Sequence, residues 1–241
     1  MSDAARLTKL AFSGKSAGTP YTNFNLSTAE IHSISNQLES DMVDNAYAAI
    51  VSYAEAMLGI TRGSSSWSII RLYYSAFYCL KAMMFSQSIV PFNSGGGEML
   101  FDLSNNKFYK GGTSSHVLNW KSLRSTSLKN CWCFSQDSQE AYALLRTFRE
   151  DANYIHAFED PNLHNCLVTK NSTLSKRFRA YRDDNHFLYT YLQDHLAIAY
   201  PTKLIFEVDL EIAKRNCQLD LERAQHAQKI WNFQDRCPVA S

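Results

Sequence analysis

One stretch of the chain groups side chains that handle phosphate and protons: Arg149-Glu150-Asp151-Ala152-Asn153-Tyr154-Ile155-His156. Each residue of an α-helix turns by about 100°. Arg149 and His156, seven apart, therefore return to nearly one direction, with Asn153 between them. Arg146, one turn before Arg149, adds a second guanidinium. Arginine presents a planar fork of donors that matches phosphate oxygens and can neutralise a phosphorus becoming five-coordinate. Histidine titrates near neutral pH and can move a proton to or from a ribose oxygen. Asn153 can orient the imidazole or donate to phosphate, and Glu150 can position the imidazole or the guanidinium. These types in this order point to cleavage of an RNA phosphodiester without metal or other cofactor. One helix holds one His and one strong Arg, so two copies facing each other make a fuller site, and a two-fold homodimer is expected. The plainer alternative is a solvated helix face on which Arg and His pair with Glu150 and Asp151.

These groups need a helix, and the helix needs neighbours. Tyr142, Leu145, Phe148, Ala152 and Ile155 form its apolar side, Asp137 or Ser138 its cap, and Glu159-Asp160-Pro161 its end. Upstream, residues 1–26 are rich in Ser, Thr, Gly and Asn and read as a flexible arm. Ser27-Thr28-Ala29-Glu30 is a capping box that opens a helix running to Gly59. A second helix runs from Ser64-Ser65-Ser66 towards Pro91, with Trp67, Ile70, Tyr74, Phe77 and Met84 on one stripe and Tyr73, Ala76, Leu80 and Met83 widening it. A helix this apolar belongs inside a bundle. Gly95-Gly96-Gly97 and Gly111-Gly112 flank a short hairpin or irregular insertion over Met99-Leu100-Phe101 and Lys107-Phe108-Tyr109. A short helix is expected near Ser115-His116, and a loop over 125–137.

In the last third, Lys176, Arg177, Arg179 and Arg182 interleave with Phe178 and Tyr181. An amphipathic helix with a solvated face is preferred there over a stacking surface for nucleic acid. Pro201 is expected to open a helix through Leu204, Val208 and Ile212 towards Trp231, in preference to a strand at 203–210. His186 and His195 point apart on a helix and share no metal.

The fold class expected is mainly all-α: an arm (1–26), a helical bundle (27–161) and a helical extension packed on it (162–241). Scarcity of helix breakers agrees, with 5 prolines and 9 glycines in 241 residues. The 24 basic and 23 acidic residues leave a net charge of +1, which excludes a generally basic nucleic-acid coat but not a local patch. Cysteines 79, 131, 133, 166, 217 and 237 read as reduced thiols. The Cys131/Cys133 pair lacks the further ligands a metal needs. The opening MSDAARLTKLAFSG does not resemble a secretion leader, and no apolar run approaches a membrane span. A cytoplasmic location away from membranes is expected.

Two segments carry a resemblance to a family. Tyr73-Tyr74-Ser75-Ala76-Phe77, within the helix from Ser65 to Met84, resembles the aromatic, small-residue element of an early helix in HEPN domains (higher eukaryotes and prokaryotes nucleotide-binding). Arg149 and His156, with six residues between, resemble the Arg-to-His pair on a later helix of HEPN ribonucleases. The resemblance covers roughly 30–160. It implies a bundle of four or five helices, a homodimer, and attack of the ribose 2′-oxygen on the adjacent phosphate to leave a cyclic phosphate. Arg149 and His156 would be the catalytic pair, Asn153, Glu150 and Arg146 would support it, and Arg71 and Tyr74 would face the RNA. It further implies a toxin or antiviral defence role, with cellular RNA as target and an antitoxin or defence-complex protein as partner. The chain departs from the family in carrying Glu150, where active members often have Asn, Asp or His directly after the Arg. Two other readings stay open: a non-catalytic HEPN-like dimerisation or partner-binding module, and a nucleotide sensor using the bundle near Tyr74.

Overall fold

Nine α-helices and one three-stranded sheet make up the described residues, which in this computed structural model are 2–14, 20–113, 116–155 and 174–231. The helices are α1 (Asp3–Ser13), α2 (Thr28–Ser35), α3 (Leu38–Thr61), α4 (Ser65–Ser86), α5 (Trp120–Leu123), α6 (Gln136–Glu150), α7 (Leu174–Arg182), α8 (Gln193–Lys214) and α9 (Leu221–Trp231). The strands are β1 (Ile89–Asn93), β2 (Glu98–Asp102) and β3 (Lys107–Lys110), antiparallel in the order β1-β2-β3. The chain is mainly helical, as its composition implies. No described helix is long and apolar enough to cross a membrane.

The chain divides into two units that interleave in sequence. Unit 1 is residues 1–44 and 81–135, and unit 2 is residues 45–80 and 136–241. This differs from the boundaries read along the sequence, because α3 and α4 each contribute to both units.

In unit 1, residues 3–13 form a helix rather than a loose arm. Ser2 caps it, its Oγ accepting from Ala5 N at 3.2 Å. The Asp41 carboxylate of α3 accepts from Asp3 N at 3.1 Å and Ala4 N at 2.8 Å. A carboxylate on the unsatisfied amides of a helix start satisfies donors and complements the dipole, and here its source lies 37 residues away. The capping box at Ser27 and Glu30 is formed in both directions. The helix it opens breaks at Asn36–Gln37 instead of continuing to Gly59. Phe12 of α1 packs on Phe24, Phe92 and Phe108 with ring centroids 5.2, 5.4 and 5.2 Å apart. Asn106, in the β2–β3 turn at φ 50°, accepts from Leu26 N and donates to Leu26 O, both at 2.9 Å. That pair ties the segment before α2 to the sheet.

The hairpin read around 99–109 is present, with Phe101 opposite Phe108. Pro91 sits within edge strand β1 and does not terminate a helix, since α4 has already ended at Ser86. An edge position tolerates the missing N–H. At Gly111 a Cβ would collide with the Glu98 backbone, so the close approach after β3 requires glycine. The 125–137 stretch holds two short 3₁₀ turns, Ser127–Asn130 and Trp132–Phe134.

In unit 2, Gly59 does not stop α3. A Cβ there would collide with Ser68 Oγ of α4, so this glycine permits two helices to approach. Pro201 lies inside α8, eight residues after its start, and does not open it. A mid-helix proline costs about 3 kcal/mol. Burial of Leu196, Ile198, Leu204, Ile205 and Val208 on the same helix offsets that. Thr202 Oγ1 donates to Ile198 O at 2.7 Å and meets Tyr53 Oη at 2.6 Å. The helix ends at Lys214, and α9 is separate.

Candidate functional site

Amphipathic α6 belongs to unit 2 and buries Ser138, Ala141, Tyr142 and Leu145. Ser138 Oγ meets Tyr200 Oη of α8 at 2.7 Å, which fixes the start of α6. Seven residues separate Tyr142 from Arg149, so both look the same way. Facing them is α4, with Tyr73 fully buried and Tyr74 half-buried. The Tyr73 and Tyr142 hydroxyls meet at 2.9 Å, and their rings lie 5.5 Å apart.

Above this pair sits Arg149. Its guanidinium carbon is 5.4 Å from the Tyr73 ring centre and 5.9 Å from that of Tyr74. Both distances are within reach of cation–π attraction. The two segments that carry the family resemblance, one on α4 and one on α6, thus meet at Arg149. Arg146 forms a 3.5 Å ion pair with Glu150 one turn on. The pair is partly exposed, with Glu150 48% accessible, and contributes well under 1 kcal/mol. Glu150 is therefore the partner of Arg146.

Burial raises the pKa of Tyr73 against the opposing effects of the Tyr142 hydrogen bond and of Arg149 and Arg146. Burial also pushes Tyr142 well above the ordinary phenol value. Neither phenol is a base near neutral pH. The arrangement offers two guanidinium groups on one helix, one of them on an aromatic platform. Guanidinium groups in such a setting can receive an anionic oxygen.

Beyond α6 the backbone changes. Asp151–Ile155 is a π-helical turn, with Ala152 buried and Asn153 half-buried. A π turn bonds i to i+5, so the 100° phase used to align Arg149 with His156 does not carry across it. His156 and the helix end read at Glu159-Asp160-Pro161 lie outside the described residues, as do Cys166, Cys237 and the polar stretch 162–172.

Arg71 is on the exposed side of α4 and pairs with Glu55 of α3. Trp67, expected in the apolar stripe, is 66% exposed. Among the described residues Cys79, Cys131, Cys133 and Cys217 are in no disulfide, Cys79 and Cys133 are buried, and no cluster of three metal-ligating side chains occurs.

A second polar group escaped the sequence reading. Arg177 and Tyr181 are 5% and 1% exposed. Arg177 Nε donates to Tyr181 Oη at 2.8 Å, and Tyr181 Oη lies 2.7 Å from His195 Nδ1. With its oxygen accepting from Arg177, the phenol has its proton available for Nδ1. Burial, then the Arg177 charge, lowers the His195 pKa, which matches a neutral imidazole accepting at Nδ1. The only sequence signal is the i,i+4 spacing of Arg177 and Tyr181, which is common. Phe178 and Tyr181 are both buried, so this basic segment offers neither ring to a base.

Compared with known proteins, the chain matches no family model, no curated protein and no solved structure.

Proposed function

We propose that this chain is a metal-independent endoribonuclease of HEPN type, acting as a homodimer. The observation that carries the reading is the seat of Arg149 on Tyr73 and Tyr74. It unites the two segments of the family resemblance, some 75 residues apart. A guanidinium held on aromatic faces keeps its donors in one orientation, which is what stabilising a developing phosphorane charge needs. In the reaction the ribose 2′-oxygen loses its proton and bonds to phosphorus, and the 5′-oxygen leaves and takes a proton. A 2′,3′-cyclic phosphate remains. Arg149, with Arg146 beside it, neutralises the non-bridging oxygens. His156 moves the proton, and the second copy's site supplies the complementary proton step. Asn153 orients the imidazole or the phosphate. A toxin or defence role, with cellular RNA as target, and a cytoplasmic site of action follow from the family reading alone.

A non-catalytic binding module is the second reading. It is favoured by the Arg146–Glu150 pair, which places a carboxylate beside the expected phosphate site. The deciding experiment is cleavage of mixed RNA by the full chain in excess chelator, alongside Arg149→Ala and His156→Ala. Cleavage by the parent with loss in both variants supports the nuclease. Cleavage that persists in both, or none by the parent, overturns it.

A further inference from the structure

Between α7 and α8, in unit 2, runs the sequence Phe187-Leu188-Tyr189-Thr190-Tyr191-Leu192, and Thr190 alone of these residues is buried. Leu188, Leu192 and Tyr189 are 69%, 50% and 38% exposed. Among the described residues seven large apolar side chains are exposed, and three of them fall in this one turn. A single exposed leucine needs no explanation, but a cluster does.

The turn is built to hold these side chains outward. The buried Asp184 carboxylate accepts from Leu188 N at 2.8 Å, Tyr189 N at 2.8 Å, Thr190 N at 3.1 Å and Thr190 Oγ1 at 3.2 Å. Thr190 is drawn inward, and Leu188 and Tyr189 are left to water. Phe187 sits at φ 56°, a strained region for a bulky side chain. Its ring is stacked 5.9 Å from that of Tyr191 and lies 5.6 Å from Lys203 Nζ of α8, which also donates to Arg182 O at 3.1 Å. The Tyr189 ring packs edge-on to His195 at 5.0 Å. Tied at Asp184, Lys203 and His195, the turn has little freedom to fold its leucines under, so its apolar tip is preorganised.

Chemistry and size together say what covers it. Leucine inserts into hydrocarbon, and tyrosine sits where its ring is apolar-bound and its hydroxyl wet, at the headgroup level of a bilayer. Helix α7, which leads into the turn, has four basic residues and no acidic one, and its Lys176 and Arg179 are exposed. The exposed carboxylates flanking the turn in sequence are Asp183, which Arg182 binds at 2.7 Å, and Asp194. A stable protein contact takes roughly 20–30 residues from each partner, far more than this tip offers. A lipid surface needs no matching face. A few apolar side chains at the acyl boundary, with cations at the headgroups, give reversible attachment.

We propose that the α7–α8 turn docks the chain on an anionic lipid surface. Leu188 and Leu192 enter the acyl boundary, Tyr189 lies among the headgroups, and Lys176 and Arg179 meet lipid phosphates. This is attachment to one leaflet and not a span. A short turn gives no long apolar run, which is why the sequence points away from membranes. The proposal is independent of the reading of the Arg149 site.

The test is co-sedimentation of the full chain with vesicles of phosphatidylcholine alone or of equal phosphatidylcholine and phosphatidylglycerol. The proteins are the parent, Leu188→Ala combined with Leu192→Ala, Leu188→Trp, and Lys176→Glu combined with Arg179→Glu. Both leucines are exposed, so their truncation leaves the fold intact, which thermal melts check. The parent is expected to bind the mixed vesicles about tenfold more tightly than phosphatidylcholine, with salt weakening the difference. The double leucine variant should bind roughly tenfold more weakly than the parent. The charge-reversed variant should lose the preference for mixed vesicles. Leu188→Trp should bind at least as tightly as the parent, and its added fluorescence should shift to shorter wavelength and be quenched by brominated lipid. No binding of mixed vesicles by the parent, equal binding of the two vesicle types, or parent-like binding by the double leucine variant overturns the proposal. So does Leu188→Trp emission that vesicles leave unmoved while the protein is bound, which would place the contact elsewhere. A parent dimer that the leucine variant loses in gel filtration without vesicles would make the turn a contact between copies, and also overturns it.

Discussion

The buried aromatic rings of the two units differ in kind. In unit 1 they are Phe24, Phe85, Phe92, Phe101, Phe108, Trp120 and Phe134, with no buried tyrosine among them. All five buried tyrosines of the described residues, Tyr53, Tyr73, Tyr142, Tyr181 and Tyr200, are in unit 2. Each of the five has its hydroxyl in a hydrogen bond, to Thr202, to one another, to His195 or to Ser138. The aromatic core of unit 1 is held by area removed from water, which is indifferent to direction. Unit 2 adds directed contacts that leave each helix one acceptable rotation, because a buried hydroxyl without its partner is costly. The unit with the candidate site is the one whose core specifies geometry.

The largest effect should come from unit 1. Phe108, stacked 4.5 Å from Phe101, also packs on Phe12, Phe24 and Phe92. Phe108→Ala should cost about 3–5 kcal/mol in urea unfolding. If Tyr142→Phe costs as much, the contrast between the cores fails.

Next is Glu98, one of two carboxylates buried within the sheet of unit 1, the other being Asp102. Burial raises Glu98 from 4.5 to about 7 in spite of the Lys81 charge. Between those values the unfolded chain releases the proton first. Stability is thus fully present below pH 4.5 and declines as pH rises through about 7, by an amount on the order of 3 kcal/mol. Glu98→Gln should remove that decline, so parent and variant stabilities converge at low pH and part at pH 8. Parallel curves would show that the carboxyl is not held neutral.

Smaller is the hydroxyl pair beneath Arg149. Tyr142→Phe breaks the 2.9 Å bond to Tyr73, and about 1–2 kcal/mol is expected. A double variant with Tyr73→Phe should lose less than the sum of the singles, since no widowed hydroxyl remains. Strict additivity in the four-protein unfolding cycle would mean the bond is not specifying the site. Under the nuclease reading Tyr142→Phe should also lower cleavage more than Phe108→Ala does, at a temperature where both are folded.

Smallest is Arg71→Ala. Its pair with Glu55 is part-exposed, and the stability change should stay within about 0.5 kcal/mol in thermal melts.

Much of the fold was legible in local pattern. The helical class, the capping box at Ser27, the α4 and α6 helices, the 99–109 hairpin and a helix over 203–210 follow from short-range spacing, which is where backbone preference acts. Elements that depend on a distant partner were not legible. The polar composition of 1–26 says loop, yet Asp41 satisfies the first amides of α1 and Phe12 enters the phenylalanine cluster. Gly59 and Pro201 carry the usual stop and start signals, but the apolar surfaces of α3 and α8 outweigh a local propensity of a few kcal/mol at most.

For the site the division is similar. Residue order alone places Arg146, Arg149 and Glu150 on one helix and a Tyr-Tyr pair on another, because succession along a helix is a property of the chain. Packing of distant segments sets Arg149 on that Tyr pair, turns Trp67 and Arg71 outward, and brings Arg177 and His195 together at Tyr181. It also decided the π turn after Glu150. The physical reason is common to all of them. A side chain's charge and shape are local, but whether it is buried, stacked or left to water depends on which surfaces the rest of the chain brings against it.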